Sequence, residues 1–176
     1  MGFMNRGTKY ELVNNAINRA KSGLNFLEEC LKCFHTGGTD SAYSRSLYII
    51  FSYSFELILK SSLILRRNET EKEKLLKGIN SHDLEKLSEE LSSEALGGIG
   101  IKKIQKMRDP DFIRYEVGTT DGRKIIVDDL VNVRYDFEKY ALRPIDPSES
   151  QRMRDEIEIF RGMVRRVMEE NGNSNL

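Results

Sequence analysis

Apolar residues recur at alternating steps of four and three along the first part of the chain, which predicts a long amphipathic helix. The residues at this spacing are Val13, Ile17, Ala20, Leu24, Leu27, Leu31 and Phe34. Thr8 and Glu11 fit a capping box, in which a hydroxyl and a carboxylate bind free backbone N–H groups, and Gly37-Gly38 end the helix. A stripe of this length can pair within a bundle or across a dimer.

The segment from Leu47 to Leu65 is apolar on every side, which is typical of a helix enclosed by other elements. It nevertheless contains Glu56 and Lys60 one helical turn apart, and buried charges are costly unless they are paired. At the centre of a membrane-spanning helix each would cost about 2.5–3.5 kcal/mol. We therefore predict a core helix of a soluble protein, with a polar cluster inside it and no membrane association.

Capping residues define the expected bounds of the second helix. Asp40 or Ser41 begins this helix, which runs to about Arg67 and packs antiparallel to the first. The charged residues 68–80 then form a connection or a short surface helix.

A third helix is expected from Ser81, as its N-cap, to Leu91, with Asp83 and Glu85 near its positive end. Several glycines follow it, and residues 101–107 are expected to add a helical turn or two.

Around residues 111–127 the pattern changes to two β-prone runs, FIRYEV and RKIIV, on either side of a turn containing Asp121-Gly122. This pattern predicts a small β-hairpin insert. Asp128 then caps a fourth helix, which Pro144 and Pro147 end. The apolar face of the fourth helix comprises Leu130, Val133, Phe137 and Tyr140.

Ser148 begins the last helix, in which apolar residues again recur at steps of four and three. These residues are Met153, Ile157, Phe160, Val164 and Val167. The elements together predict an all-α fold, an up-and-down bundle of four to five helices with a hairpin insert near residues 111–127. A chain of 176 residues is about the size of one domain.

Charge and composition narrow the possible functions. The 28 basic residues balance the 28 acidic residues, so the chain lacks the overall basic field expected of a protein that grips duplex nucleic acid mainly through phosphates. Local basic patches remain possible. The N-terminal residues lack the apolar run and the cleavage site of a secretory signal, so we expect a cytoplasmic protein.

A Cys-x-x-Cys pair, Cys30 and Cys33, is followed by His35. A structural zinc site needs four ligands, and His82 is the one further histidine in the chain. A redox motif of this kind needs a βαβ context, whereas here it lies at the end of a helix. We interpret the cysteines as small residues of a helix end and expect no metal and no cofactor.

Three motifs follow one another in the order FELILK, SHDLEKL and VRYDFEKY. In this order they resemble the HEPN family of small helical bundles. The residues that carry the resemblance are Glu56, Lys60, His82, Asp83, Leu84, Arg134 and Tyr135. The likeness covers about residues 8–170 of one domain, 1–176. It implies an up-and-down bundle, a homodimer, and action on RNA, a nucleotide or a partner protein, often in toxin–antitoxin or defence systems.

Nuclease members of the HEPN family carry an arginine and a histidine on the same helix, separated by four to six residues. Arg134 matches the arginine, but the expected histidine positions hold Lys139, Tyr140 and Ala141. A phenol is a poor general base at neutral pH, because its ordinary pKa is about 10. The resemblance therefore implies a non-catalytic binding or regulatory module. The alternative is a metal-independent ribonuclease that uses Arg134 with Tyr140, Lys139 or His82.

The polar residues of these motifs allow two interpretations. Glu56, Lys60 and His82 form a structural clasp between helices, favoured by the Glu-first order of the pair in its helix. Alternatively, these three residues and Asp83 converge with Arg134 in a groove that binds a phosphate, a nucleotide or a peptide carboxylate.

A basic cluster provides a second candidate surface, which is either a local RNA-binding patch or an ordinary solvated face. Its members are Lys102, Lys103, Lys106, Arg108 and Arg114. A third class of function needs no ligand: a helical oligomerisation subunit that pairs through the apolar stripe of the first helix.

Overall fold

Three long helices form the framework of the molecule. The computed structural model describes residues 5–33, 41–69, 71–108, 112–135 and 145–173. The long helices are α1 (Asn5–Cys33), α2 (Ser41–Arg66) and α7 (Pro147–Asn173). They pack against one another pairwise, and their facing side chains form most of the hydrophobic core.

The heptad-like stripe of α1 lies inside the core of the same chain. Its described members are at most 1% exposed: Val13, Ile17, Ala20, Leu24, Leu27 and Leu31. Gly23 allows the close approach of α2, since a Cβ atom there would stand 2.6 Å from Ser54 Oγ. The stripe therefore pairs within the bundle.

The start of α1 differs from the prediction. The helix begins at Asn5, so Thr8 and Glu11 lie within it and the predicted capping box is wrong. Phe34 and the predicted end at Gly37-Gly38 lie outside the described residues.

Helix α2 is enclosed on nearly all sides. It is long and apolar enough to cross a membrane by length and composition, but 78% of its most apolar window is buried inside the molecule. Phe51 and Phe55 stack on Phe160 of α7, with ring centroids 4.8 and 5.0 Å apart. Aromatic pairs of this kind contribute about 0.5–1.5 kcal/mol beyond the area they bury. The bounds of α2 agree with the predicted ones to within one residue.

Three short helices follow, namely α3 (Lys72–Leu76), α4 (Leu84–Glu89) and α5 (Ser93–Gly98). Asp83, rather than the predicted Ser81, is the N-cap of α4, because its carboxylate accepts hydrogen bonds from the backbone N–H groups of Glu85 and Lys86. Ser92 caps α5 in the same way. The predicted third helix is therefore shorter at both ends.

Three antiparallel strands form a small sheet in the order β1-β2-β3. They are β1 (Ile101–Arg108), β2 (Ile113–Thr119) and β3 (Lys124–Asp128). The predicted hairpin is confirmed as β2 and β3, but the helical turns expected at residues 101–107 are wrong, because these residues form β1. A bulge between Ile101 and Lys103 brings Ile101 and Ile104 to one buried face, although they are three residues apart as in a helix. The fold is thus a mostly helical bundle with a three-stranded sheet, one strand larger than the predicted insert.

Helix α6 (Leu130–Tyr135) follows the sheet directly. Asp129 caps it, since Asp129 Oδ1 accepts a hydrogen bond from the backbone N–H of Asn132 at 3.0 Å. The predicted cap, Asp128, instead pairs with Arg114 of β2. Phe137, Tyr140 and Pro144, which were expected to extend and end this helix, lie outside the described residues.

Helix α7 begins at Pro147, one residue before the predicted Ser148. Asp146 Oδ1 accepts a hydrogen bond from the backbone N–H of Glu149 at 2.9 Å and so caps the helix. Proline is tolerated in this first turn because its missing N–H has no intrahelical partner there.

Glu156 joins α7 to the edge of the sheet. Its carboxylate accepts hydrogen bonds from the backbone N–H of Ile126 in β3 at 3.3 Å and from Arg152 at 2.9 Å. Arg152 also binds Glu149, which accepts a hydrogen bond from the hydroxyl of Tyr48 in α2. Burial raises the pKa of the Glu156 carboxyl to about 7, although Arg152 and the Ile126 N–H oppose this effect.

We expect Glu156 to make the protein less stable as the pH rises. Its pKa is about 7 in the folded protein, against an ordinary value of 4.5, so the folded state binds the extra proton between these values. The stability from this group is complete below about pH 4.5 and is lost as the pH rises through about 7. Between pH 5 and pH 8 the wild-type protein should lose about 2 kcal/mol of unfolding free energy relative to Glu156→Gln. Urea unfolding across this range measures the difference.

The matched control is Glu158→Gln, on the same helix but with a carboxylate side chain that is 62% exposed. This variant should keep the wild-type pH profile. A Glu156→Gln profile that is parallel to the wild-type profile would contradict the prediction.

Candidate functional site

The Glu56 carboxylate lies at the centre of a polar group that we call the Glu56 cluster, consisting of Glu56, Lys60 and His82. Lys60 Nζ lies 2.7 Å from Glu56 Oε1. His82 Nδ1 lies 3.1 Å from Oε1 and 3.0 Å from Oε2 of the same carboxylate. The structure thus brings together three residues that the sequence singles out, two from α2 and one from the loop before α4.

The cluster is sealed at one end and open at the other. The Glu56 side chain is 1% exposed and that of Lys60 is 12% exposed, whereas that of His82 is 39% exposed. A buried carboxylate without partners would be unfavourable by several kcal/mol, so Lys60 and His82 are required to hold Glu56 inside α2.

Glu56 also orients the His82 ring. A carboxylate accepts hydrogen bonds, so this contact assigns the proton of the neutral ring to Nδ1 and leaves Nε2 as the second nitrogen. Among the described residues Nε2 has no hydrogen-bond partner. In this tautomer His82 Nε2 can accept a hydrogen bond from a ligand.

A line of contacts extends from the next residue, Asp83, to the start of α6. Lys106 Nζ in β1 donates a hydrogen bond to Asp83 Oδ2 at 2.8 Å and lies 5.7 Å from the centroid of the Tyr115 ring. The Tyr115 hydroxyl donates to Asp129 Oδ2 at 2.9 Å, and Asp129 caps α6. The N-cap of α4, two strands and the start of α6 are therefore coupled.

The ionisation of Asp83 and Tyr115 is fixed at neutral pH. Burial raises the pKa of Asp83, but the hydrogen bonds from Lys106 and from the N–H groups of α4 outweigh it, so this pKa lies below its ordinary value. Burial and the Asp129 carboxylate hold the pKa of the Tyr115 hydroxyl well above its usual range. Asp83 stays charged and Tyr115 stays neutral, so both act as parts of the framework rather than as acids or bases.

Arg134 lies beside the same face of α2. Its guanidinium carbon is 6.0 Å from the centroid of the Tyr53 ring, and Tyr53 and Glu56, three residues apart, are neighbours on the helix surface. Arg45 of α2 holds the adjacent backbone, because its guanidinium donates hydrogen bonds to the carbonyls of Val133, at 2.8 Å, and of Arg134. Arg134 is exposed and forms no ion pair among the described residues.

Tyr53 and Arg45 are not apparent as site residues from the sequence. For Tyr53 the available signal is its position three residues before Glu56, on the same side of a helix. For Arg45 no signal exists, since its partner carbonyl lies 88 residues further along the chain. Tyr140 and Lys139, the alternatives to the missing histidine, lie outside the described residues.

The predicted basic patch is divided between two faces of β1. Lys102 and Lys103 are exposed, and Lys103 Nζ donates a hydrogen bond to Gln105 at 3.1 Å. Lys106 lies on the opposite face, where it is neutralised by Asp83.

The other two members of the patch add little free charge to it. Arg114 Nε lies 3.2 Å from the buried Asp128 carboxylate, and the guanidinium lies over the Phe112 ring at 4.8 Å. The side chain of Arg108 lies outside the described residues. Lys102 and Lys103 are therefore the exposed cations of this patch within the part of the chain that the structure describes.

No metal site is found among the described residues, because no group of three His, Cys, Asp or Glu side chains could hold an ion. Cys30 is a buried thiol on α1. The Cys33 side chain and His35 lie outside the described residues.

Comparisons of this chain with known protein families, with curated proteins and with solved structures found no match. The resemblance to the HEPN family therefore depends on its three short motifs. The first motif is part of α2, and the other two contact that helix, His82 at Glu56 and Arg134 at Tyr53.

We expect Glu56→Gln to lower the free energy of unfolding by about 2–3 kcal/mol. The substitution leaves Lys60 largely buried without a counter-charge, and breaking a buried ion pair in this way typically costs about 3–5 kcal/mol. The lower figure applies because the 12% exposed Lys60 side chain can turn toward water. Guanidinium unfolding measures the change.

Glu89→Gln is the matched control, since Glu89 is an exposed residue of α4 and should change stability by less than about 0.5 kcal/mol. The double variant with Lys60→Met should recover part of the loss, because it removes the uncompensated charge. Additive losses in the double variant would contradict the proposed pairing.

Proposed function

We propose that this protein is an HEPN-like module that binds single-stranded RNA without cleaving it. The RNA-binding surface in this proposal comprises His82, Arg134 and Tyr135. The observation that carries the proposal is the contact of the Arg134 guanidinium with the ring of Tyr53, which lies three residues before Glu56 in α2.

The chemistry of Arg134 and Tyr135 suits unpaired bases. Tyr135 is 73% exposed and follows an exposed arginine that has no ion pair among the described residues. Aromatic rings and guanidinium groups stack on bases, and each stacked base contributes about 1–3 kcal/mol. Arginine also binds phosphate through paired N–H groups. The two side chains together supply a stacking surface and a phosphate contact.

His82 adds a directional contact to this surface. Its Nε2 faces away from the Glu56 hydrogen bond and can bind a base edge or a 2′-hydroxyl. The buried carboxylate holds the ring in one orientation, which limits the entropy lost when a ligand binds.

Single-stranded RNA is favoured over duplex nucleic acid because of charge. The chain has a formal net charge of zero, and the lysine and arginine of the sheet nearest the cluster are neutralised by Asp83 and Asp128. Duplex binding depends mainly on many phosphate contacts, whereas stacking on a few aromatic side chains suffices for single strands.

The proposed role is binding or regulation because the nuclease histidine is replaced. The expected positions hold Lys139, Tyr140 and Ala141, and none of them is an effective proton acceptor at neutral pH without a strongly altered pKa. A homodimer is part of the proposal. The dimer would use a surface other than the apolar stripe of α1, since that stripe is buried within the chain. The same burial removes the support for a ligand-free subunit that oligomerises through this stripe.

We expect Tyr135→Ala to weaken binding of a fluorescein-labelled, unstructured RNA about tenfold, and Arg134→Gln to weaken it about fivefold. Both side chains are exposed, so neither substitution should disturb folding. Fluorescence anisotropy at fixed salt measures both affinities.

Arg19→Gln removes the same charge from an exposed position of α1 and serves as the matched control. It should change the affinity by less than twofold. Absence of RNA binding by the wild-type protein, or equal losses in the Arg19 and Arg134 variants, would overturn the proposal.

The orientation of His82 by Glu56 favours a second candidate, a metal-independent ribonuclease in which His82 Nε2 transfers protons. Incubation of varied RNAs with the wild-type protein and with His82→Gln distinguishes the two. We expect binding without cleavage in the wild-type protein. Cleavage that is lost in His82→Gln would establish the ribonuclease instead.

A further inference from the structure

A second polar cavity lies away from the Glu56 cluster, between the turn that joins β2 to β3 and the middle of α7. Its volume is about 180 Å³. Its polar lining includes Thr119, Asp121, Arg123, Glu158, Arg165 and Arg166. We call it the turn cavity.

The acidic residues of the turn cavity already have cationic partners. The Asp121 carboxylate binds the Arg123 guanidinium at 2.6 Å and accepts a hydrogen bond from the Thr119 hydroxyl at 2.5 Å. Glu158 binds Arg161 at 2.6 Å. Arg161 also binds Glu28 at 2.6 Å, so one guanidinium serves two carboxylates. Neither Asp121 nor Glu158 forms an ion pair with Arg165 or Arg166.

Arg165 and Arg166 form no ion pair among the described residues, although acidic residues lie one turn further along α7. For Arg166 the acidic residue four positions on is Glu170, which binds Arg66 of α2 at 2.9 Å. Both arginines are exposed, and their guanidinium groups line the turn cavity without a carboxylate partner among the described residues.

Gly100 allows the position of Arg166. It has a positive φ of 87°, and a Cβ atom there would lie 1.8 Å from Arg166 Nη1 and 3.1 Å from Cζ. The guanidinium therefore rests directly on the backbone, in space that any other residue would fill. The Gly100 carbonyl accepts a hydrogen bond from the backbone N–H of Thr120 at 3.0 Å, which ties this wall of the cavity to the turn.

The charge and the size of the turn cavity indicate its ligand class. Arginine donors suit the oxygens of phosphate, and the hydroxyl of Thr120, an exposed residue of the turn that lines the cavity, can donate to a further oxygen. Pockets for drug-sized ligands measure about 300–1,000 Å³, so a cavity of about 180 Å³ matches one phosphate group rather than a whole nucleotide.

We propose that the turn cavity is a binding site for a terminal phosphate group, either inorganic phosphate or the phosphate of a small monoester, held by Arg165 and Arg166. This site is separate from the proposed RNA surface and does not depend on it.

Isothermal titration calorimetry of the full chain with inorganic phosphate and with AMP tests the proposal. We expect the wild-type protein to bind one phosphate group per chain, and Arg166→Gln to weaken binding at least about tenfold. Arg19→Gln, on the exposed face of α1, should bind like the wild-type protein. Tighter binding of AMP identifies a monoester as the ligand, and tighter binding of inorganic phosphate identifies the free ion.

A pair of glycine variants tests the placement of Arg166 separately. Gly100 and Gly122 both have a positive φ, of 87° and 86°, but a Cβ atom at Gly122 would meet nothing within 4 Å. Gly100→Ala should weaken phosphate binding, whereas Gly122→Ala should strain the backbone to a similar degree and leave binding unchanged.

Three results would overturn the proposal: no phosphate binding by the wild-type protein, equal losses in Arg19→Gln and Arg166→Gln, or full binding in Arg166→Gln. The His82→Gln and Arg134→Gln variants keep the turn cavity intact, so they should bind phosphate normally. Failure of RNA binding would therefore leave this test unaffected, and failure of phosphate binding would leave the RNA test unaffected.

Discussion

The enclosure of one carboxylate within an apolar helix constrains much of this fold. Glu56 lies where α2 is covered by its neighbours, so its partners must come from the protein. Lys60 is available from the same helix, one turn away. His82 does not belong to α2. The chain that leaves α2 must therefore return, after α3, to place the imidazole beside Glu56. Since Asp83 comes next and caps α4, the same return also positions the start of that helix.

The polar contacts continue from this point into the sheet. Asp83 binds Lys106 of β1, which lies over Tyr115 of β2, and Tyr115 in turn binds the residue that caps α6. Each link joins side chains of two different elements, so a continuous line of contacts leads from Asp83, next to the Glu56 cluster, to the residue that caps the helix containing Arg134. The proposed RNA surface is thus assembled from segments that are far apart in sequence.

The long helices could be predicted because their apolar periods extend over many turns and their buried faces follow those periods. The contact of Glu56 with Lys60 follows from helical spacing alone. Strand β1 could not be predicted, because the bulge after Ile101 leaves two buried isoleucines, Ile101 and Ile104, three residues apart, which is the spacing typical of a helix. The sequence predicts the N-caps of α4 and α6 one or two residues before the observed caps, Asp83 and Asp129, because adjacent polar side chains compete for the same backbone N–H groups. The contact of Arg134 with Tyr53 depends on tertiary packing, which no local pattern encodes.

The bond between Glu156 and the backbone of β3 has a consequence for association. Strand β3 is at the edge of the sheet, and an edge strand offers unpaired N–H groups to which a strand of another chain can add. At Ile126 the outward N–H is already occupied by a side chain from a helix of the same molecule. The Glu156 carboxylate thus occupies the position at which a fourth strand would begin to pair with β3. In this way α7 protects the β3 edge of the sheet from edge-to-edge aggregation.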